Sequence, residues 1–331
     1  MNKIFVVVLC VFSWAICTVN AQNTGEFKPS GSPEVLIFTD FNNTSSNGKN
    51  FSKFEITRAY FGYKYNFSPT FSGRLTLDVG NPGVGSLNYT AYIKYGYAQY
   101  QKNKFTAKFG LIQNTMYEML ESYWGSRYIY KVFQDQYGFA ASADFGISAA
   151  YNFNPVVSAD VMISNGGGYK VLDTDSVLKE GIGVTLHPVK TITIRCYYDN
   201  MKKTNSPITQ NSISLMAGYE NTNFKIAAEY NYQMNNKLIN GNDLYGYSFY
   251  GKLFFSSKTD LFVRYDQLNS LNHPARPVSW NFAKDGKIVM VGLEYIPVKG
   301  IRISPNYQLW NPRDGSKSNL SSVFLNVEIK I

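Results

Sequence analysis

Histidine occurs only twice in the 331 residues, as His187 and His273, each followed directly by proline. A barrel hydrolase needs a histidine base oriented by an acid and placed beside a nucleophile. Both histidines fall in predicted connections, with no Ser or Asp constellation on a strand, so no catalytic residue is assigned and no enzymatic activity is expected. Of the three cysteines, Cys10 and Cys17 lie in a predicted export signal. Cys196 then stands alone, which excludes an intramolecular disulfide and a cysteine metal site. No metal or cofactor is expected. The chemistry left to the chain is charge carried on alternating positions. In 71–79, Ser72, Arg74, Thr76 and Asp78 share one face, and Phe71, Gly73, Leu75, Leu77 and Val79 the other. In 190–200, Thr191, Thr193, Arg195, Tyr197 and Asp199 oppose Ile192, Ile194, Cys196 and Tyr198. Extended by parity, this places Arg58, Arg74, Lys94 and Lys108 on the polar face of four consecutive strands. Asp144, Asp160, Arg195, Arg264 and Arg302 fall on the same face of later strands.

Strands that are apolar on one face only, with that face outward, demand closure, because lipid offers the backbone no hydrogen-bond partners. The composition agrees: mean hydropathy is −0.22, yet Tyr and Phe number 26 and 23. After the signal no apolar run approaches the ~20 residues of a membrane-spanning helix. The alternation predicts strands at 34–42, 53–66, 69–80, 88–100, 104–113, 139–151, 156–164, 178–187, 190–200, 209–219, 223–233, 243–255, 259–268, 286–295, 300–309 and 321–331. Tight turns such as Asn66-Phe67-Ser68-Pro69, Asn152-Phe153-Asn154-Pro155 and Pro297-Val298-Lys299 alternate with long polar connections at 43–52, 165–177, 234–242 and 269–285. Short periplasmic turns, long outer loops and an even strand number define an all-β, transmembrane, antiparallel up-and-down barrel of about sixteen strands. A TonB-dependent transporter needs about 22 strands and a plug, which this length does not supply.

Lys3, the apolar stretch Ile4 to Ile16 and Val19-Asn20-Ala21 form the pattern of a signal peptide cleaved near Ala21. The expected organisation is therefore a signal at 1–21, a short lead at 22–33 and a single barrel domain at 34–331. Loss of Lys3 with the signal leaves 31 basic and 23 acidic residues. The basic residues are spread over strands, which argues against nucleic acid as a partner. A small hydrophilic or anionic solute, with outer-membrane lipid around the barrel, suits them better.

One connection differs in composition. Across 114–137, Tyr117, Leu120 and Trp124 recur at helical spacing beside Glu118 and Glu121, and Arg127, Tyr128, Tyr130, Lys131 and Phe133 follow. Its apolar residues are expected to pack on the inner wall. Its Glu118 and Glu121 are expected to face the basic wall across the opening, with Arg127 and Lys131 completing a constriction.

The segments Phe54-Glu55-Ile56-Thr57-Arg58-Ala59-Tyr60-Phe61 and Ser142-Ala143-Asp144-Phe145-Gly146 are similar to the phosphate-selective porin O/P family, Bacteroidota type. The whole mature chain resembles a general bacterial porin. That resemblance implies a long third loop folded into the lumen, a transverse field across a constriction, passive diffusion and a homotrimer. The excess of basic residues itself suggests mild anion preference rather than strict phosphate specificity. The chain departs from many outer-membrane proteins in ending at Ile331 rather than at Phe or Trp. Two other readings fit the strand pattern: a filled barrel serving as structural anchor or adhesin, and an outer-membrane hydrolase. Asp175-Ser176-Val177 resembles a Bacteroidota glycosylation acceptor in an outer loop.

Overall fold

The computed structural model describes residues 27–80, 89–202, 206–271 and 278–331. The expected signal, with Cys10 and Cys17, and His273 lie outside the described residues. Sixteen antiparallel strands close into one barrel. They are β1 (Ser30–Ser46), β2 (Lys49–Asn66), β3 (Phe71–Gly80), β4 (Thr90–Lys102), β5 (Phe105–Gln113), β6 (Ala143–Asn152), β7 (Val157–Ser164) and β8 (Lys179–Leu186). The ring continues with β9 (Ile192–Lys202), β10 (Thr209–Glu220), β11 (Phe224–Met234), β12 (Leu244–Ser256), β13 (Thr259–Ser270), β14 (Gly286–Tyr295), β15 (Ile301–Pro312) and β16 (Leu320–Lys330). Closure is made by β1 against β16, from Leu36 opposite Lys330 to Ser45 opposite Ser321.

The two faces of the ring invert the usual globular arrangement. Phe61, Leu75, Ile93, Phe109, Val161, Ile182, Phe249, Val263 and Val323 point outward and are exposed. Asp78, Asp199, Asn231, Asp266, Ser248 and Ser304 point inward and are buried. No described helix is long and apolar enough to cross a membrane; the strands, closed in a ring, have their backbone groups satisfied by their neighbours, as a spanning barrel requires. Aromatic pairs ring the short-turn end: Tyr65 with Phe67 (4.9 Å), Phe71 with Tyr100 (5.0 Å), Tyr151 with Phe153 (5.0 Å) and Tyr219 with Phe224 (5.5 Å). Amphipathic rings at this level match the aromatic girdle of a membrane interface.

The bounds of β1, β2 and β6 differ most from the sequence expectation. The segment 43–52 is not a long loop: β1 and β2 stay paired from Ser30 opposite Asn66 to Ser46 opposite Lys49. Asn47 and Gly48 form the turn with φ of 50° and 72°, the left-handed pair that an Asn-Gly hairpin supplies. β1 also starts within the expected lead, at Ser30. β6 starts at Ala143, so 139–142 belong to the third connection. Finally, β4 bulges between its pairings to Thr76 and Leu77. Lys94 and Tyr95, adjacent in sequence, are consequently both buried inside the barrel, as a bulge permits.

The third connection folds into the lumen. Asn114 caps helix α1 (Thr115–Trp124) by accepting from the Met116 amide at 3.0 Å, and Gly125 ends it in left-handed geometry. A second helical turn, α2 (Phe133–Gln136), lies on the returning arm. Met116, Tyr117, Leu120, Trp124, Tyr128 and Val132 pack in one cluster with Phe38, Tyr197, Met216, Tyr250, Phe262 and Met290 of the inner wall. Trp124 meets Tyr250 and Phe262 edge to face, at 5.1 and 6.0 Å between ring centres. Tyr123 and Phe133 lie over Gly218 and Gly246, where any larger side chain would displace them.

Candidate pore lining

Polar contacts fasten the loop to β9–β16. Arg195 donates to the Thr115 carbonyl at 2.7 Å, at the start of α1. Lys225 donates to the Tyr123 carbonyl at 2.8 Å. At the loop tip, Ser126 Oγ donates to Glu294 Oε1 at 2.6 Å, and Lys252 bonds both Ser126 and Glu294. Arg302 gives two hydrogen bonds to the Gly125 carbonyl, at 2.5 and 2.8 Å. On the returning arm, Gln134 donates to Ser214, Glu229 and Asn231. Gln233 donates to the Phe139 carbonyl at 2.6 Å.

Several residues expected to line the lumen are absorbed by this fastening. Arg195 pairs with Asp160 at 2.7 Å. Its guanidinium passes over β8 at Gly183, where a β-carbon would clash with both partners. Arg264 is fully buried, pairs with Asp266 at 2.9 Å, and lies over the rings of Trp124, Tyr130 and Tyr250. Arg302 also reaches Glu328 at 3.4 Å. Asp144 accepts from the Gly166 and Gly168 amides at 2.6 and 3.2 Å, fixing the start of the fourth loop. A carboxylate used this way has its lone pairs committed to a turn.

The loop presents its other face to β2–β5. Glu118 does not stand across an opening from the basic wall: it contacts Lys108 directly, at 2.8 Å, near the root of the loop. Glu121 also turns back, to Arg127 at 2.7 Å and to Gln113 at 3.1 Å. Arg127 bonds Asp135 at 2.9 Å and the Tyr60 hydroxyl at 3.2 Å, and so connects loop to wall. Arg58 donates to the same hydroxyl and pairs with Asp78 at 3.3 Å. Two guanidiniums therefore converge on one phenol.

Around them stand Lys94 and two loop lysines. Lys94 is buried, donates to Ser142 at 2.5 Å, and lies 3.8 Å from the Tyr169 ring centre. Lys131 is 42 % exposed and reaches Asp135 at 3.7 Å. Lys170 lies over Tyr92 at 4.9 Å. Burial, and then Arg58 and Arg127 against the pull of Asp135, push the Lys131 ammonium below the ordinary lysine range. Burial and Arg58 do the same to Lys170. Burial works against the Asp135 carboxylate, yet Arg127 and Lys131 hold it below its usual range. On the other side of this cluster, Arg74 pairs with Glu34 at 2.7 Å and stacks over Tyr95 at 4.8 Å. Arg58, Arg74, Lys94, Lys108 and Lys170 each lie within about 6 Å of a tyrosine ring, in cation–π geometry.

Tyr60, Tyr95, Asp78, Asp135, Tyr169 and Lys170 are the site residues that the sequence expectation omits. Tyr60 and Asp78 share parity with Arg58 and Arg74, which is the signal that marks them. Tyr95 is brought inward by the bulge, and Tyr169 by the fourth loop. His187 sits in a short turn with Nδ1 3.1 Å from Thr193 Oγ1. Among the described residues no group of His, Cys, Asp and Glu could hold a metal ion.

No protein-family model matches the chain, and no curated protein matches it in sequence. Solved structures do match in fold. The outer-membrane channel DcaP of Acinetobacter baumannii aligns over 92 % of this chain and 97 % of its own, with TM-score 0.66 and 14 % identity. An anion-selective porin from Comamonas acidovorans aligns over 92 % and 100 %, with TM-score 0.68 and 11 % identity. OmpF of Salmonella typhi, in complex with daunomycin, aligns over 90 % and 97 %, with TM-score 0.66 and 13 % identity. The sixteen-strand barrel of this chain thus shares its fold with these porins and channels.

Proposed function

We propose that the chain is an outer-membrane porin through which small hydrophilic solutes diffuse passively, with a mild preference for anions. The observation that carries this reading is the asymmetric seating of the third loop, fastened along β9–β16 while its charged face turns to β2–β5. Solute passes between that face and the wall, beside the contact of Arg127 with Tyr60. Arg58, Arg127, Lys131 and Lys170 outnumber Asp78, Glu121 and Asp135 there. Excess positive charge around a constriction favours anions. The anion-selective porin among the fold relatives agrees with this preference, and the O/P-like resemblance points the same way. Cleavage near Ala21 would deliver the barrel to the periplasm for insertion, and three barrels would associate as in the porins it resembles. Reconstitution into liposomes tests the reading: rapid osmotic swelling in a pentose is expected, and impermeability to every small solute overturns it in favour of a filled barrel.

A further inference from the structure

The mouth of the barrel at its long-loop end contains a second cavity, of about 820 Å³, whose lining includes none of the basic-wall residues. Its walls are the returning arm of the third loop, segments 236–242 and 280–284, and the inner ends of β12–β16. The volume lies within the ~300–1,000 Å³ usual for ligand sites. Four aromatic rings contribute to it: Tyr130, Tyr137, Trp280 and Trp310. Three of the four are held by contacts outside the cavity. Trp280 Nε1 donates to the Asp243 carbonyl at 3.0 Å, Tyr130 faces the Arg264 guanidinium, and Tyr137 packs on Phe133 at 4.5 Å.

The polar part of the lining is equally specific. Gln136 and Asn281 bring amides, each able to donate and accept. Lys237 and Lys284, both exposed, bring ammonium groups, and no carboxylate lines the cavity. Lys237 is held at the rim in left-handed backbone geometry (φ 58°) between Asn235 and Leu238, which share it at 53° and 55°. Aromatic faces match the C–H faces of pyranose rings, amides match their hydroxyls, and lysines without competing acids match carboxylates. A wholly apolar ligand would leave these amides and ammonium groups desolvated.

We infer that this cavity is a binding site for acidic oligosaccharides, with sugar rings on the aromatic lining and uronate carboxylates at Lys237 and Lys284. The purified barrel in detergent micelles is titrated with pentagalacturonate, neutral cellopentaose and salicylate, with tryptophan emission and calorimetry as readouts. Pentagalacturonate is expected to bind saturably, about tenfold tighter than cellopentaose from two exposed charge pairs. Lys237→Gln with Lys284→Gln should abolish that difference, and Trp280→Ala should weaken both sugars. Heat-modifiable electrophoretic mobility confirms that each variant is folded. Absence of saturable pentagalacturonate binding, equal binding of the neutral sugar, binding of salicylate alone, or indifference to these substitutions would overturn the assignment. Binding is read without any ion flow, so its failure is distinct from failure of the porin reading.

Discussion

Ser126 on the third loop and Glu294 on β14 are joined by a 2.6 Å hydrogen bond across 168 residues of sequence. Lys252 bonds both, and all three side chains are buried. A loop tip held by a buried ion pair has a fixed position rather than a range of them. Removing one member of such a pair leaves the other charge without compensation, at a cost of about 3–5 kcal/mol. Glu294→Gln should therefore loosen the loop and produce noisy, fluctuating single-channel current. Replacing both charges together, Lys252→Met with Glu294→Leu, removes both partners of Ser126, so the current should stay noisy. Quiet current in the single and double variants would show that the pair does not hold the tip.

Trp124 tests the apolar half of the same attachment. It is fully buried and touches Tyr250, Phe262 and the cations Lys252 and Arg264. Truncating a buried aromatic of this size costs about 3–5 kcal/mol. Trp124→Ala should lower the temperature at which the folded barrel loses its compact electrophoretic mobility, and should raise mean conductance as the loop moves off the wall.

Arg127 tests the charge of the passage. An ion about 6 Å from a unit charge in water feels roughly 0.7 kcal/mol, about threefold in occupancy. Arg127→Ala should therefore lower the anion-to-cation permeability ratio by about tenfold, the anion losing and the cation gaining that factor, and increase the conductance. Glu121→Gln should move the ratio the opposite way. Both effects should shrink in concentrated salt, where screening shortens the range of the charge.

The loop lysines predict a pH dependence. Lys131 and Lys170 both titrate below the ordinary lysine value of about 10.4. They lose positive charge earlier than exposed lysines as pH rises, so anion preference should decline before that value is reached. Asp135 is held low, so it stays ionised through mild acidification and does not contribute a change there. Reversal potentials measured at stepped alkaline pH check the decline, and Lys131→Gln with Lys170→Gln should flatten it.

The barrel was largely legible in the residues because lipid imposes period-two alternation on every strand and closure on the whole. Helical spacing marked 114–137 as unlike the other connections, its inward fold was what the porin resemblance implied, and 139–142 read as strand. What parity could not supply was partnership. Arg195 and Asp160 meet across an intervening strand, which requires both the register and the space at Gly183. Lys94 and Tyr95 break alternation through a bulge that no single strand announces. The 43–52 segment reads as a loop because both of its faces are polar, although its Asn47-Gly48 pair is a hairpin turn. Arg264 and Arg302 have the parity of pore residues but serve the loop, a distinction set by what the loop brings to them.

The central claim is an open passage with net positive charge, and single-channel recording across a planar bilayer under a potassium chloride gradient addresses it most directly. Stable, step-like, ohmic conductance with a reversal potential displaced toward chloride is the predicted result. Absence of conductance from correctly folded barrel, or a reversal potential displaced toward potassium, would contradict it.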